Sequence, residues 1–179
     1  MIADLGISLQ PGELYLAKEP SILRTILGSC VGITFWSARL GAGAMCHGVL
    51  PTAPPGVAGA EACRYVDFSI RHLARQFDAL GASRAELEVK LFGGADVLPV
   101  PDSRGKPTVG ALNCRTALEV LEREGFRVAA SDLGGTGGRT IHFDTATGEV
   151  FVHRLGKVQR AKRLPREARG AHANSKAPK

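Results

Sequence analysis

The sequence predicts a single α/β domain, with α+β as the alternative, in which helices pack on a mixed β-sheet as a compact layered sandwich. Two observations favour this class. Short runs of strand character alternate with turns rich in Gly and Pro, and two longer segments between them carry apolar residues at helical spacing. A chain of 179 residues is long enough to bury one core without disulfides or metals.

Eight short runs have the composition of strands. The tripeptide Arg39-Leu40-Gly41 is typical of a hairpin turn between two of them, and Ala146-Thr147-Gly148 predicts a second hairpin near the end of the domain. The predicted strands cover 13–17, 22–26, 31–36, 43–50, 87–92, 126–132, 139–145 and 149–154.

Two helices are predicted between these strands. In the first, apolar residues recur at steps of three and four, and Gly81 ends the helix. The second covers roughly Asn113 to Glu124, with Asn113 as the N-cap residue and Gly125 after its end. The apolar positions of the first helix are Ala62, Val66, Ile70, Leu73, Phe77 and Leu80.

The net charge of +6 is concentrated at the end of the chain. Residues 157–179 contain eight basic side chains and one acidic side chain, so residues 1–156 have a net charge of −1. We therefore predict a folded domain over 1–156 and a basic, disordered tail over 157–179, either dispensable or in weak contact with acidic surfaces or RNA. A nearly neutral domain argues against specific nucleic-acid binding.

Membrane insertion and secretion are not expected. The sequence lacks an apolar stretch of roughly 20 residues, and its first residues lack the pattern of a secretory signal. We expect a cytoplasmic protein whose four cysteines, at positions 30, 46, 63 and 114, stay reduced. Their spacing fits neither a C-x-x-C pair nor a zinc site, which leaves the question of whether one is a nucleophile.

Cys30 is the candidate nucleophile, because it ends the predicted turn Leu27-Gly28-Ser29-Cys30. A glycine at position 28 permits a sharp turn and a close approach of substrate, and amides near Ser29 can point at a developing oxyanion. The alternative is a small buried thiol of the core.

His47 is the candidate base, because the predicted hairpin brings its strand beside Cys30. A histidine buried in the core is the alternative. Cys46 points to the opposite face of a regular strand, so we interpret it as a core residue.

Four blocks of sequence, in order and at matching separations, resemble the signature of the chemoreceptor glutamine deamidase family, CheD. The similarity extends from about residue 12 to 155. The blocks are Thr25-Ile26-Leu27-Gly28-Ser29-Cys30-Val31-Gly32-Ile33, Gly43-Ala44-Met45-Cys46-His47-Gly48-Val49-Leu50-Pro51, Lys90-Leu91-Phe92-Gly93-Gly94-Ala95, and Asp132-Leu133-Gly134-Gly135 with Gly138-Arg139-Thr140-Ile141-His142-Phe143 and Thr147-Gly148-Glu149-Val150.

This resemblance implies a layered domain with an active site like that of the deamidating cytotoxic necrotizing factor toxins. It implies a catalytic Cys30 and His47, assisted by a nearby threonine. Thr25 is the candidate, although Arg24 occupies the position where some members carry that threonine. The implied reaction converts protein glutamine to glutamate through a thiolate–imidazolium pair and a thioester. It needs no metal or organic cofactor, and it allows glutamyl methyl esters to be cleaved as a side reaction.

The implied substrates are cytoplasmic helices of methyl-accepting chemoreceptors. Gly93-Gly94 and Gly134-Gly135 are candidates for the walls of a groove that accepts such a helix, with plain turn chemistry as the alternative. Two other functions stay open. One is a regulatory binding module for a CheC-type phosphatase, and the other is a thiol redox protein that uses Cys30 and Cys46.

Overall fold

The strands of the chain divide between two stacked sheets in the computed structural model, which describes residues 6–97 and 105–156. The predicted tail, 157–179, lies outside the described residues. Short 3-10 helices cover Gly59–Arg64 and Arg84–Glu86. The remaining elements are β1 (Ile7–Ser8), β2 (Leu14–Ala17), β3 (Ile22–Leu27), β4 (Val31–Ser37), β5 (Ala42–Gly48), α1 (Val66–Ala79), β6 (Glu88–Gly93), α2 (Val109–Arg123), β7 (Val128–Leu133), β8 (Arg139–Asp144) and β9 (Val150–Arg154).

Both sheets are mixed. The small sheet has the order β1-β3-β8-β9, and the large sheet has the order β2-β5-β4-β6-β7. Parallel pairing joins β1 to β3 and β6 to β7, and the other neighbours are antiparallel. The predicted class, helices layered on mixed β-structure, is confirmed, but the prediction of one sheet misses this division.

Two apolar cores separate the three layers of the fold. The core between the sheets joins side chains of β3 and β8 to Met45 and Phe92 of the large sheet. The core on the other face of the large sheet is closed by α1 and α2, with Phe35 in edge contact with Phe126 at 5.2 Å between ring centroids. Neither helix in the described part of the chain is long and apolar enough to cross a membrane.

Small residues let the small sheet lie close over β4 and β5. A Cβ atom at Gly43 would come within 2.9 Å of Phe143 and Thr145, and one at Gly32 would meet Leu27 at 3.0 Å. Since real Cβ atoms hardly ever approach other atoms so closely, glycine is required here for the sheets to pack at this distance. The space between the sheets is therefore narrow where His47 lies.

Both predicted hairpins are confirmed. In the first, β4 pairs with β5 from Val31 opposite Gly48 to Ser37 opposite Ala42. In the second, β8 pairs with β9 across the turn at 146–148. The first hairpin is the element that brings the strand of His47 alongside the segment that follows Cys30.

The start predicted for the second helix is wrong. Helix α2 begins at Val109, and its N-cap is Thr108, whose hydroxyl accepts a hydrogen bond from the Ala111 amide at 3.1 Å. Asn113 lies inside the helix and is fully buried. Its position on the same face as Ala117 and Leu121 turns it toward the large sheet.

Candidate active site

Cys30 is held in a turn whose carbonyl groups all face the interior. The turn joins β3 to β4, and it rests on the end of β6 and on helix α2. Its three carbonyl oxygens accept hydrogen bonds as follows: Gly28 from the Ala95 amide at 2.8 Å, Ser29 from Asn113 Nδ2 at 2.9 Å, and Cys30 from the Gly94 amide at 2.8 Å.

Cys30 and His47 lie on the same face of the large sheet. The register places Gly32 opposite His47, and directly opposed residues of an antiparallel pair share a face. Extending the alternation of β4 back by one residue places Cys30 on that face, as a diagonal neighbour of His47 at roughly 7–8 Å between Cα atoms. Cys30 indeed packs against the core between the sheets. The hairpin thus brings the two predicted residues together.

Thr25 contacts the imidazole from the small sheet. Its hydroxyl oxygen lies 2.7 Å from His47 Nδ1 and 2.8 Å from the Leu9 carbonyl oxygen. A hydroxyl has one proton, and a carbonyl can only accept, so the hydroxyl donates to Leu9 and accepts from Nδ1–H. His47 then has its lone pair on Nε2. Nε2 is therefore the ring nitrogen that can accept a proton.

His47 Nε2 is buried and has no hydrogen-bond partner in the part of the chain that the structure describes. Unpaired buried polar atoms are uncommon in folded proteins, and a catalytic role is one of the explanations for those that occur, beside backbone strain and a bound water or ion.

Burial favours the uncharged forms of both residues. Burial lowers the pKa of His47 to about 4, against weaker opposing effects of the Leu9 carbonyl and the Glu13 carboxylate. Burial also raises the pKa of the Cys30 thiol above its ordinary value. Burial thus opposes both charges of the thiolate–imidazolium pair that the resemblance implies, and it favours the neutral thiol and the neutral imidazole.

The turn at Gly28 does not use the backbone conformation that favours glycine. Its φ is not positive, so the turn does not require a glycine for its backbone conformation. A Cβ atom there would lie 3.2 Å from a methyl group of Val97.

Ser29 lines a cleft of about 160 Å³ between the turn and the start of α2, together with residues 95–97 and 108–110.

Gly93 and Gly94 lie beneath the turn and not on a groove wall, so this part of the prediction is corrected. Both are buried and have positive φ. A Cβ atom at Gly93 would lie 2.2 Å from the Cys30 carbonyl oxygen, and one at Gly94 would lie 2.0 Å from Cys114 Sγ. Their lack of side chains lets β6 support the turn of residues 27–30, which we call the nucleophile turn.

Gly134 and Gly135 lie at the surface. Gly135 is exposed and Gly134 is half-buried. A Cβ atom at either would meet nothing within 4 Å. Their backbones bond to the end of β6, through the Gly93 carbonyl and the Asp96 amide.

The redox alternative is contradicted by the placement of Cys46. All four cysteines are free thiols. Cys46 is fully buried in the core beneath the helices, whereas Cys30 packs on the opposite face of the same sheet. A disulfide between them would have to pass through the sheet, because alternate residues of a strand point to opposite faces.

Asn113 is the residue at the site that the sequence interpretation missed. Its side-chain amide donates to the Ser29 carbonyl at 2.9 Å and to the Val49 carbonyl at 3.0 Å. The signal was available in the sequence, since Asn113 precedes Ala117 and Leu121 at four-residue steps. A polar residue on the buried face of a helix must find partners.

Comparisons with known proteins identify the family of the chain. The family described as CheD chemotactic sensory transduction matches residues 49–154. The "Probable chemoreceptor glutamine deamidase CheD 2" of Geobacter sulfurreducens is 42% identical over 153 residues, which cover 86% of this chain and 92% of that protein. The "Probable chemoreceptor glutamine deamidase CheD" of Maridesulfovibrio salexigens is 39% identical, with 84% of this chain and 92% of that protein covered.

A further relative is the protein of the same name from Pseudomonas fluorescens, which is 40% identical to this chain. The match covers 84% of this chain and 85% of that protein. The crystal structure of the Bacillus licheniformis hypothetical protein YfiH is a distant match, with a TM-score of 0.45 and 10% identity, covering 72% of this chain and 59% of that one. A match at that level does not bear on function. The extent and identity of the sequence matches establish that this chain belongs to the CheD family.

Proposed function

We propose that this chain is a chemoreceptor glutamine deamidase, a protein-glutamine glutaminase that uses Cys30 as its nucleophile. The observation that carries the proposal is the position of His47, which lies on the same sheet face as Cys30 and holds a free Nε2 lone pair through its bond to Thr25. The names of the relatives supply the reaction, since they are called chemoreceptor glutamine deamidases.

His47 acts as a general base in the first step of this mechanism. As the Cys30 sulfur attacks the side-chain carbonyl carbon of a glutamine, Nε2 takes the thiol proton, so no free thiolate has to be stabilised in the buried site. The carbonyl oxygen becomes an oxyanion, which the backbone amides of Ser29 and Cys30 bind. Neither amide donates a hydrogen bond to another described residue.

The tetrahedral intermediate collapses when the imidazolium gives its proton to the amide nitrogen. The C–N bond breaks, ammonia leaves, and a thioester joins Cys30 to the substrate. His47 then takes a proton from water, whose oxygen attacks the thioester carbon. The C–S bond breaks, the thiolate recovers its proton from His47, and the product is a glutamate side chain.

The substrate is a cytoplasmic helix of a methyl-accepting chemoreceptor, and the protein acts in the cytoplasm where such helices lie. The exposed Gly135 and half-buried Gly134 leave a surface without side chains, which suits a helix that must approach closely. The cleft beside Ser29 is next to the nucleophile and accepts a substrate side chain that flanks the glutamine.

Glutamyl methyl esters are a second substrate of the same site. Their carbonyl carbon is attacked in the same way, and methanol takes the place of ammonia as the leaving group. Methylesterase activity therefore accompanies deamidase activity and depends on the same residues.

Binding to a CheC-type phosphatase is a second proposed function. Among the described residues nothing covers the outer face of the small sheet, and this face carries large apolar side chains that are 64% exposed at Ile26 and 60% exposed at Phe151. Exposed apolar side chains on one face favour a protein partner. The Ile26→Asp variant should lose this binding and keep its deamidase activity.

The proposed activity is tested with the cytoplasmic fragment of a chemoreceptor. Wild-type protein should release ammonia and convert specific glutamines to glutamates, as seen by peptide mass spectrometry. Cys30→Ala and His47→Ala should do neither, and Cys46→Ala, a change at a thiol in the helix-side core, is the control for loss of a cysteine. Wild-type protein that binds the fragment without releasing ammonia would favour the regulatory binding module.

A further inference from the structure

Asn113 joins the nucleophile turn to the strand that carries His47. It is fully buried in α2, and both protons of its amide nitrogen are used, one by the Ser29 carbonyl and one by the Val49 carbonyl. Ser29 precedes Cys30 by one residue, and Val49 follows His47 by two. A single side chain thus fixes the backbone on both sides of the proposed catalytic pair.

The bond to Ser29 also determines the direction of the Cys30 amide. The described chain has no cis peptide bond, and in a trans peptide the C=O and the following N–H point in opposite directions. Because Asn113 holds the Ser29 carbonyl toward α2, the N–H of Cys30 points away from α2. The bond from the Ala95 amide to the Gly28 carbonyl directs the N–H of Ser29 in the same manner.

We propose that Asn113 is a positioning residue for oxyanion stabilisation: it fixes the Ser29–Cys30 peptide so that the Cys30 amide can bind the oxygen of the tetrahedral intermediate. This inference depends on the proposed deamidase function. Without the Asn113 amide, the Ser29 carbonyl loses its only described partner, and the Ser29–Cys30 peptide is held only through the bonds to the Gly28 and Cys30 carbonyls on either side. The transition state then loses a preorganised donor, while the ground state of the bound substrate is little affected.

The test compares two reactions of the same thiol in Asn113→Leu, which keeps the shape of the side chain and removes both donors. Deamidation should lose on the order of 10- to 100-fold in kcat with little change in KM, since removing a whole oxyanion donor costs about 100- to 1,000-fold. Alkylation of Cys30 by iodoacetamide should change much less. Attack on a saturated carbon develops no oxyanion, so it reports only the position and reactivity of the thiol.

Val120→Ala is the matched control, since it truncates a buried residue of the same helix that packs in the core beneath the large sheet. It should lower stability and leave kcat unchanged. Should Asn113→Leu fail to fold, by circular dichroism, Asn113→Ala takes its place. An unchanged kcat, or an equal loss of kcat and alkylation rate, would overturn the proposal. Wild-type protein without Cys30-dependent ammonia release would instead overturn the deamidase function.

Discussion

The hydroxyl oxygen of Thr25 lies 2.7 Å from Nδ1 of His47, and this contact joins the two sheets at the candidate active site. The same hydroxyl donates to the Leu9 carbonyl, so it can only accept from the imidazole. The tautomer that follows has its lone pair on Nε2. In the proposed mechanism, Thr25 therefore acts through His47, as a positioning residue.

Replacing Thr25 with Val should lower kcat/KM for deamidation by on the order of 10- to 100-fold, which is the loss typical when a metal-ligating histidine loses its hydrogen-bond partner. Valine has nearly the same shape and cannot accept from Nδ1–H, so the ring loses its fixed tautomer. Thr25→Ser keeps the hydroxyl and should retain most activity. Nitrogen NMR of the imidazole would report the tautomer in each variant, and an active Thr25→Val enzyme with a mixed tautomer would contradict this role.

The acid limb of the pH–rate profile should lie near the lowered pKa of His47, about 4. His47 must be neutral to accept the thiol proton, and burial keeps it neutral well below the ordinary histidine value of 6.5. The measurement is kcat/KM against pH, since this ratio reports the free enzyme. A limb near 6.5 would contradict the buried, neutral base.

The same shift makes stability depend on pH. His47 binds a proton near pH 6.5 in the unfolded chain and near pH 4 in the folded one, so the unfolded state binds more protons between these values. The free energy of unfolding should therefore fall as pH drops from 6.5 to 4, by on the order of 3 kcal/mol from this residue.

Urea titrations at several pH values would measure this loss. His47→Gln has no titrating ring, so its stability should fall less than that of wild type over the same window. Parallel curves for the two proteins would show that His47 is not buried in its neutral form.

Replacing Gly93 with Ala should disturb the nucleophile turn. The new Cβ would fall 2.2 Å from the Cys30 carbonyl oxygen, at a φ of +106° that side chains rarely adopt. We expect a loss of at least about 2 kcal/mol in stability, together with lower activity. Gly135→Ala is the matched control, since it has a φ of +77° and nothing within 4 Å of the new atom. It should cost only about 1 to 2 kcal/mol, the cost of the left-handed conformation alone, and equal effects of both changes would refute the steric argument.

Local patterns were enough to predict most strands and the pairing that brings Cys30 near His47. The turn at Arg39-Leu40-Gly41 fixes the register of β4 and β5 within a few residues, and alternation then fixes the faces of Cys46 and His47. These relationships depend on neighbours in the chain. A single sequence contains the information for them.

The division into two sheets depends on pairings between distant segments, and local patterns do not carry it. Thr25 reaches His47 only because β3 pairs with β8 in a sheet that lies across the large one. Sequence pattern alone predicts Asn113 as a helix cap, because asparagine is common at that position. Its bonds to Ser29 and Val49 appear only when α2 is packed beneath both segments.

In the proposed reaction Cys30 forms a covalent bond to the substrate, and an acid-quench experiment can detect that bond. Enzyme and chemoreceptor fragment are mixed, stopped in acid during turnover, and measured by intact mass and peptide mapping. We expect an adduct with the summed mass of the two proteins less one ammonia, mapped to the peptide that contains Cys30. Continued glutamate formation without any such adduct, or in the Cys30→Ala variant, would contradict it.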